Sequence, residues 1–170
     1  MSKFIIFFVL FFSFSSLACN CNPGGTIDEN VASSNIIIKG KVLSFSYTNK
    51  LDTLGAVILG DPRNTFARYW KFYVKVYQVQ IKETYKGYAQ VDTINIVTGM
   101  NGASCGIEFT PGVDYIIYGF EKDYQGFSSV QRVSQNGKLF WTNKCTRSYY
   151  YSDEEAESIK TVVENQSYRR

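Results

Sequence analysis

Four cysteines are the residues of this 170-residue chain whose spacing points most directly to chemistry. Cys19 and Cys21 form a C-x-C pair, whereas Cys105 and Cys145 lie much further along the chain. An even number of cysteines in an exported protein favours two disulfides over free thiols. Four cysteines allow three pairings, and residues as close as Cys19 and Cys21 are poor partners for each other, which leaves two. In both, each bridge closes a long loop, worth roughly 4–5 kcal/mol in the chain-entropy model.

The C-x-C pair directly follows a leader with the features of a secretory signal peptide. Lys3 precedes an apolar run from Phe4 to Phe12, and the leader ends in the residues Ser-Leu-Ala at 16–18. The apolar run is shorter than the roughly 20 residues that a membrane helix needs. We therefore predict a signal peptide over 1–18 and a new N-terminus at Cys19. The mature chain is expected to be secreted, or periplasmic or at the cell surface if its source is bacterial.

The chain contains no histidine, which limits the chemistry open to it. Histidine is the commonest general base and a frequent metal ligand, so Ser-His-Asp, Cys-His and HExxH sites are excluded. The acidic run Asp153 to Glu157 fits the first turn of a helix better than a carboxylate pair in a cleft. The net charge of +3 is scattered and gives no indication of a nucleic-acid partner. We predict a protein that is not an enzyme and has no cofactor of its own.

The elements that must position the cysteines are predicted to be mainly β strands. A short helix capped by Thr26 or Asp28 is followed by runs of β-branched and aromatic residues. These runs predict strands over 35–47, 69–87, 91–99 and 114–122, and the Asn-Gly turn within 135–138 predicts a last hairpin. The inward face of the 69–87 strand changes near Tyr77, which indicates a bulge or a barrel corner. A long connection over 48–68 separates the first two strands.

A second helix is predicted over 152–166. Ser152 and Glu155 form a capping box, and Ala156, Ile159 and Val163 form an apolar stripe. Five strands, with a short N-terminal helix and a C-terminal helix, predict a Greek-key barrel of the OB-fold type over one domain, 19–170.

Several short motifs occur in an order that resembles a known family. CNC at the processed N-terminus, SCG at 104–106 and FWTNKC at 140–145 are similar to motifs of the netrin-like module. IIIKGKVLSF, GDPRN, ETYKG and DYIIYGFEK match in the same order, so the resemblance covers residues 19–153. It is specifically to the N-terminal inhibitory domain of the tissue inhibitors of metalloproteinases. The resemblance implies disulfides between Cys19 and Cys105 and between Cys21 and Cys145.

The resemblance also implies a function, the inhibition of zinc metalloproteinases. A catalytic zinc keeps one coordination position open for water. In this family the α-amine and carbonyl oxygen of the first cysteine occupy that position, so Cys19 would bind the zinc of the target. Asn20 would enter the specificity pocket of the protease, where the family prefers Ser or Thr. The other residues implied to form the inhibitory ridge are Cys21, Asn22, Pro23, Ala103 and Ser104.

Two features depart from or extend the family pattern. The third cysteine pair of the family is missing, so the first helix is expected to be held less firmly. The 48–68 loop would form an outer arm beside the ridge. We expect a monomer whose partner is a zinc metalloproteinase.

Non-inhibitory alternatives remain open for the C-x-C pair. The cysteines could serve only as structural disulfides in a netrin-like binding module. Cys19 could instead be acylated in a surface lipoprotein, because residues 17–19 partly fit a lipobox. An acylated Cys19 has no free amine, so lipidation and zinc chelation exclude each other. No membrane contact is expected unless Cys19 is lipidated.

Overall fold

The computed structural model describes residues 24–51, 71–87, 90–100, 102–121 and 139–168. These residues form a mainly β protein with two helices and a six-stranded mixed sheet. The elements are α1 (Ile27–Ser33), β1 (Ile36–Leu51), β2 (Lys71–Lys86), β3 (Thr93–Gly99), a 3-10 turn (Gly102–Ser104), β4 (Asp114–Gly119), β5 (Leu139–Trp141), β6 (Tyr149–Tyr150) and α2 (Asp153–Ser167).

The strands lie in the order β5-β3-β2-β1-β4-β6. Neighbouring strands are antiparallel except β3 and β5, which are parallel. One isolated antiparallel bridge joins Phe120, just after β4, to Trp141 at the end of β5. The long β1 strand lies in the middle of the sheet and pairs with both β2 and β4.

The predicted mainly β class and both helices are confirmed, whereas the count of five strands is wrong. The additional strand is β6, whose two residues are too few to show an alternating pattern in the sequence. β1 also extends into the predicted 48–68 connection as far as Leu51, since Thr48 pairs with Val74 and Leu51 with Lys71 of β2. The rest of that connection, 52–68, lies outside the described residues. The predicted turn within 135–138 lies outside the described residues.

Burial on both sides of the sheet explains the predicted change of face in β2. Val74 and Val76 pack on Trp141 on one side of the sheet, whereas Tyr77 belongs to the main core on the other, so both faces of β2 are buried there. Three irregularities also interrupt the pairing of β1 with β2. The one nearest Tyr77 has its extra residue, Leu43, in β1, whereas the other two have theirs, Lys82 and Tyr85, in β2.

The helices cover the sheet face opposite the main core. Ile36 and Ile38 belong to the main core, whereas Ile37 between them packs with Ala156 and Ile159 of α2. A Thr26–Glu29 capping box starts α1, with hydrogen bonds of 2.8 and 3.2 Å. Neither helix in the described ranges has the length and hydropathy that crossing a bilayer would require.

Candidate functional site

The residues proposed to form the inhibitory ridge fall into two groups. Cys19, Asn20, Cys21, Asn22 and Pro23 lie outside the described residues, which begin at Gly24. Ala103 and Ser104 belong to the 3-10 turn that directly precedes Cys105.

The other two cysteines both belong to loops. Cys105 follows the 3-10 turn and Cys145 follows β5, and neither is a free thiol. The pairing of the four cysteines is not determined by the described residues and stays a prediction.

The loops that carry Cys105 and Cys145 lie side by side. The backbone N–H of Lys144 donates a hydrogen bond of 3.0 Å to the carbonyl oxygen of Cys105. The N–H of Thr142 donates to the carbonyl of Val97 at 2.9 Å and so continues the parallel pairing of β3 with β5. The β3–β5 pairing therefore brings together two cysteines that are far apart in the sequence.

The Cys105 loop folds tightly back onto the end of β3. A Cβ atom on Gly99 would lie 2.2 Å from the carbonyl oxygen of Ser104, so only glycine permits this approach. Cys105 itself has a left-handed backbone with φ of 56°. After it, the N–H of Ile107 donates to Oγ1 of the buried Thr98 at 3.0 Å.

The segment that follows Cys105 is anchored to the strands beneath it. Glu108 forms an ion pair with Lys75, a lysine of β2 that is only 6% exposed. The N–H of Phe109 donates to the Tyr77 hydroxyl at 3.3 Å, and the N–H of Thr110 donates to the Tyr115 hydroxyl at 2.9 Å. Three side chains therefore hold the loop backbone or its carboxylate in place.

A cluster of buried hydroxyl groups stabilises the Cys145 loop. Oγ1 of Thr142 lies 3.2 Å from Oγ1 of Thr146 and 2.9 Å from Oγ of Ser148. The Ser148 hydroxyl also accepts a hydrogen bond of 2.9 Å from the N–H of Tyr118 in β4. Because buried hydroxyls are costly without partners, this closed network favours a single loop conformation.

Four side chains that we call the polar clamp, Asn30, Tyr118, Arg147 and Glu155, connect the start of the described chain to the Cys145 loop. Glu155 accepts two hydrogen bonds from the guanidinium of Arg147, at 2.8 and 2.6 Å, and a third from the Tyr118 hydroxyl at 2.9 Å. The Oδ1 atom of Asn30 accepts a hydrogen bond of 3.2 Å from the N–H of Arg147. The clamp therefore joins α1, β4, α2 and the Cys145 loop.

The clamp is electrostatically complementary. Its side chains are largely buried, with exposed fractions of 32% for Arg147 and 18% for Glu155. The hydrogen bonds from Arg147 lower the pKa of Glu155, and burial followed by the hydrogen bond to Glu155 raises the pKa of Tyr118. The ion pair is therefore complete at neutral pH, with the phenol protonated.

A cavity of about 470 Å³ opens beside the clamp. Gly24, Lys144, Arg147, Tyr149 and Tyr150 are among the residues that line it. The two tyrosines are 68% and 51% exposed, so the cavity has an accessible aromatic rim. The described residues include no group of three or more metal-binding side chains.

The sequence did not indicate the polar clamp. Arg147 lies 117 positions from Asn30, and neither residue belongs to a motif that would connect them. Glu155 was predicted to reach back to Ser152 in a capping box. Ser152 does cap α2, accepting the N–H of Glu155 at 3.2 Å, but the Glu155 carboxylate binds Arg147 and Tyr118.

Comparison with known proteins identifies no family for this chain. No protein-family model matches it, and no curated protein is detectably similar to it. The structure therefore defines the class only as a mainly β protein, whose described residues form a six-stranded mixed sheet with two helices. The two loops that carry Cys105 and Cys145 adjoin near Gly24.

Proposed function

We propose that the mature chain is a secreted inhibitor of zinc metalloproteinases, which binds the catalytic zinc through the α-amine and carbonyl oxygen of Cys19. The observation that carries the proposal is the hydrogen bond between Lys144 and Cys105, because it sets the two cysteine loops side by side. Arg147, two residues after Cys145, contacts the carbonyl of Gly25, so the start of the described chain lies at the same place.

The covalent reach of the chain is compatible with the implied disulfides. Each residue spans at most about 3.5 Å, so Cys21 lies within roughly 10 Å of Gly24 and Cys19 within roughly 17 Å. Cys105 and Cys145 belong to adjoining loops, and Arg147 links the second of these to Gly25. The reach is compatible with both remaining pairings, among them the one that the resemblance implies, Cys19 with Cys105 and Cys21 with Cys145. Either pairing would fix the N-terminal residues as a ridge.

The chemistry of zinc chelation requires an unprotonated amine. An α-amine has a reference pKa of about 7.7–8.0, so the metal-binding form is readily reached near neutral pH. The amine nitrogen and the carbonyl oxygen of one residue form a five-membered chelate and displace the water from the open position of the zinc. Two disulfides order the ridge before binding and so lower the entropy cost of association.

We further propose that the sheet closes into a Greek-key barrel of the OB-fold type. The bridge between Phe120 and Trp141 supports this, with reciprocal N–H to carbonyl hydrogen bonds of 2.8 and 2.7 Å. It links the end of β4 to β5, although β5 is an edge strand that β3, β2 and β1 separate from β4 in the sheet.

A matched pair of proteins tests the inhibitory mechanism. Mature protein beginning at Cys19 is expected to inhibit a zinc endopeptidase, whereas a version with one additional alanine before Cys19 is expected not to. The extra residue converts the α-amine into an amide, which does not ligate zinc in this way. Equal inhibition by both proteins, or by neither, would refute chelation by Cys19.

The lipoprotein alternative has its own test. Mass spectrometry of the N-terminal peptide from the native source should give the mass of an unmodified Cys19 apart from its disulfide. A diacylglyceryl mass on Cys19 would instead establish the lipoprotein, since an acylated N-terminus has no free amine.

A further inference from the structure

Two consecutive glycines connect the proposed ridge to α1. Gly24 and Gly25 have left-handed φ angles of 88° and 49°, a region that side-chain-bearing residues rarely adopt. Glycine loses more conformational freedom on ordering than any other residue, so an unsupported Gly-Gly link would act as a hinge. A ridge attached through such a hinge would lose much of the advantage of being ordered before it binds.

The polar clamp holds the carbonyl groups of both glycines. Nδ2 of Asn30 donates to the carbonyl of Gly24 at 2.5 Å and to that of Thr26 at 3.0 Å. Nη1 of Arg147 donates to the carbonyl of Gly25 at 3.2 Å. Within the described residues, the carbonyl groups of Gly24 and Gly25 accept no hydrogen bond from the backbone of a helix or strand, so these side-chain contacts are what fixes the two peptide groups.

Arg147 is suited to this task because of its geometry. Its Nε and Nη2 atoms bind Glu155 in a bidentate pair, which orients the guanidinium plane and leaves Nη1 directed at Gly25. A planar guanidinium presents its donors in a fixed fork, which the ammonium of lysine does not. Arg147 also follows Cys145 by two residues, so its backbone is placed by the same loop.

We infer that the polar clamp locks the Gly24–Gly25 hinge and thereby orients the N-terminal ridge, with Arg147 as its principal positioning residue. The expected effect on inhibition rests on the proposed function. The locking of the hinge does not, because it can be measured in a protein that inhibits nothing. The clamp supplies a noncovalent tie between α1 and the residues after Cys145.

The test compares variants of the oxidised mature chain. Arg147→Ala removes the contact with Gly25, and Arg147→Lys keeps the positive charge without the fork. Lys160→Ala is the matched control, because Lys160 lies on the same helix as Glu155 and forms ion pairs away from the clamp, with Glu83 of β2 and Glu157 of α2. Ile94→Val is a second control that loosens the main core away from the clamp. Each protein is measured by zinc endopeptidase inhibition and by amide hydrogen exchange of residues 24–33.

Arg147→Ala is expected to weaken inhibition at least about tenfold and to speed amide hydrogen exchange within residues 24–33. Arg147→Lys is expected to have the same two effects to a smaller degree. Both controls are expected to inhibit within about twofold of the natural protein and to leave exchange in this segment unchanged. Equal inhibition and exchange in Arg147→Ala and the natural protein would overturn the inference. So would an equal loss of inhibition in Arg147→Ala and Ile94→Val, because general destabilisation would then account for it.

The two proposals fail in different ways. If the natural protein does not inhibit, the proposed function is wrong, and faster exchange of residues 24–33 in Arg147→Ala alone still establishes the locked hinge. If the natural protein inhibits and exchange in this segment does not respond to Arg147→Ala, the hinge inference is wrong and the proposed function stands.

Discussion

Gly99 is the position at which a single methyl group tests the placement of the Cys105 loop. In Gly99→Ala the new Cβ atom would lie 2.2 Å from the carbonyl oxygen of Ser104, 2.7 Å from its Oγ and 2.9 Å from its carbonyl carbon. Ordinary contacts begin at about 3.4 Å, so the 3-10 turn must move by about 1 Å. The movement is opposed by the hydrogen bond from Ile107 to Thr98 and by the one from Lys144 to Cys105.

The cost of this displacement can be bounded from known overpacking effects. Forcing a methyl group into a closely packed site typically costs about 1–3 kcal/mol. For a domain of this size each kcal/mol lowers the melting temperature by about 2–4 °C, so Gly99→Ala should melt about 2–12 °C below the natural protein. Thermal unfolding of the oxidised mature chain, followed by circular dichroism, measures this difference.

Gly102→Ala provides a control on the same loop. Its Cβ atom would meet only Nζ of Lys144, at 3.7 Å, which is an ordinary contact with a flexible side chain. Its φ is not left-handed, so no backbone strain is added. The change in stability should stay within about 0.5 kcal/mol. If Gly99→Ala melts at the same temperature as Gly102→Ala, the close approach of the turn to β3 is refuted.

Two further predictions concern charged pairs. Glu108→Gln should lower the free energy of unfolding by about 1–3 kcal/mol, because it leaves the buried ammonium of Lys75 without its carboxylate. Lys75→Met should lower it by less, because the carboxylate that it leaves behind is exposed to water. Chemical denaturation of both variants checks this order, and the reverse order would contradict the burial of Lys75. Because Arg147 lowers the folded-state pKa of Glu155 below 4.5, the stability this carboxylate adds is complete above about pH 5 and is lost as the pH falls through the folded-state value. The difference in free energy of unfolding between the natural protein and Glu155→Gln should therefore become smaller as the pH falls. A difference that stays constant from pH 6 to 3 would show that folding does not lower the pKa of Glu155.

Local signals in the sequence predicted the local elements well. Thr26 and Ser152 are hydroxyl residues immediately before apolar-periodic segments, and both cap the helices as expected. The stripe of Ala156, Ile159 and Val163 packs inward because helical periodicity is a property of neighbouring residues.

Partners that are distant in the chain could not be predicted in the same way. Lys75 belongs to no motif in the sequence, yet it is buried and paired with Glu108, 33 positions away. The capping-box interpretation of Glu155 failed because Arg147 competes for the same carboxylate, and a charged partner forms the stronger hydrogen bonds. The parallel partner of β5 was missed since an Asn-Gly turn indicates only an antiparallel neighbour.

The candidate site shows the same division. The motifs drew attention to the loops of Cys105 and Cys145, which the structure places side by side. The residues that fix those loops, Gly99, Asn30 and Arg147, have no distinctive local pattern. Their roles follow from close approach and hydrogen bonding across the fold, which a single sequence does not encode in any short window. The ridge residues 19–23 stay a prediction.

The parallel pairing of β3 with β5 has a consequence for the order of folding. Parallel neighbours cannot be joined by a tight turn, so the chain must close a long loop, and lose the corresponding entropy, before the first contact between these strands forms. Antiparallel β2 and β3, by contrast, adjoin across a short connection and can form early. The thiol of Cys145 therefore reaches its final surroundings only when β5 docks, so correct oxidation is expected to be a late event during maturation of this protein.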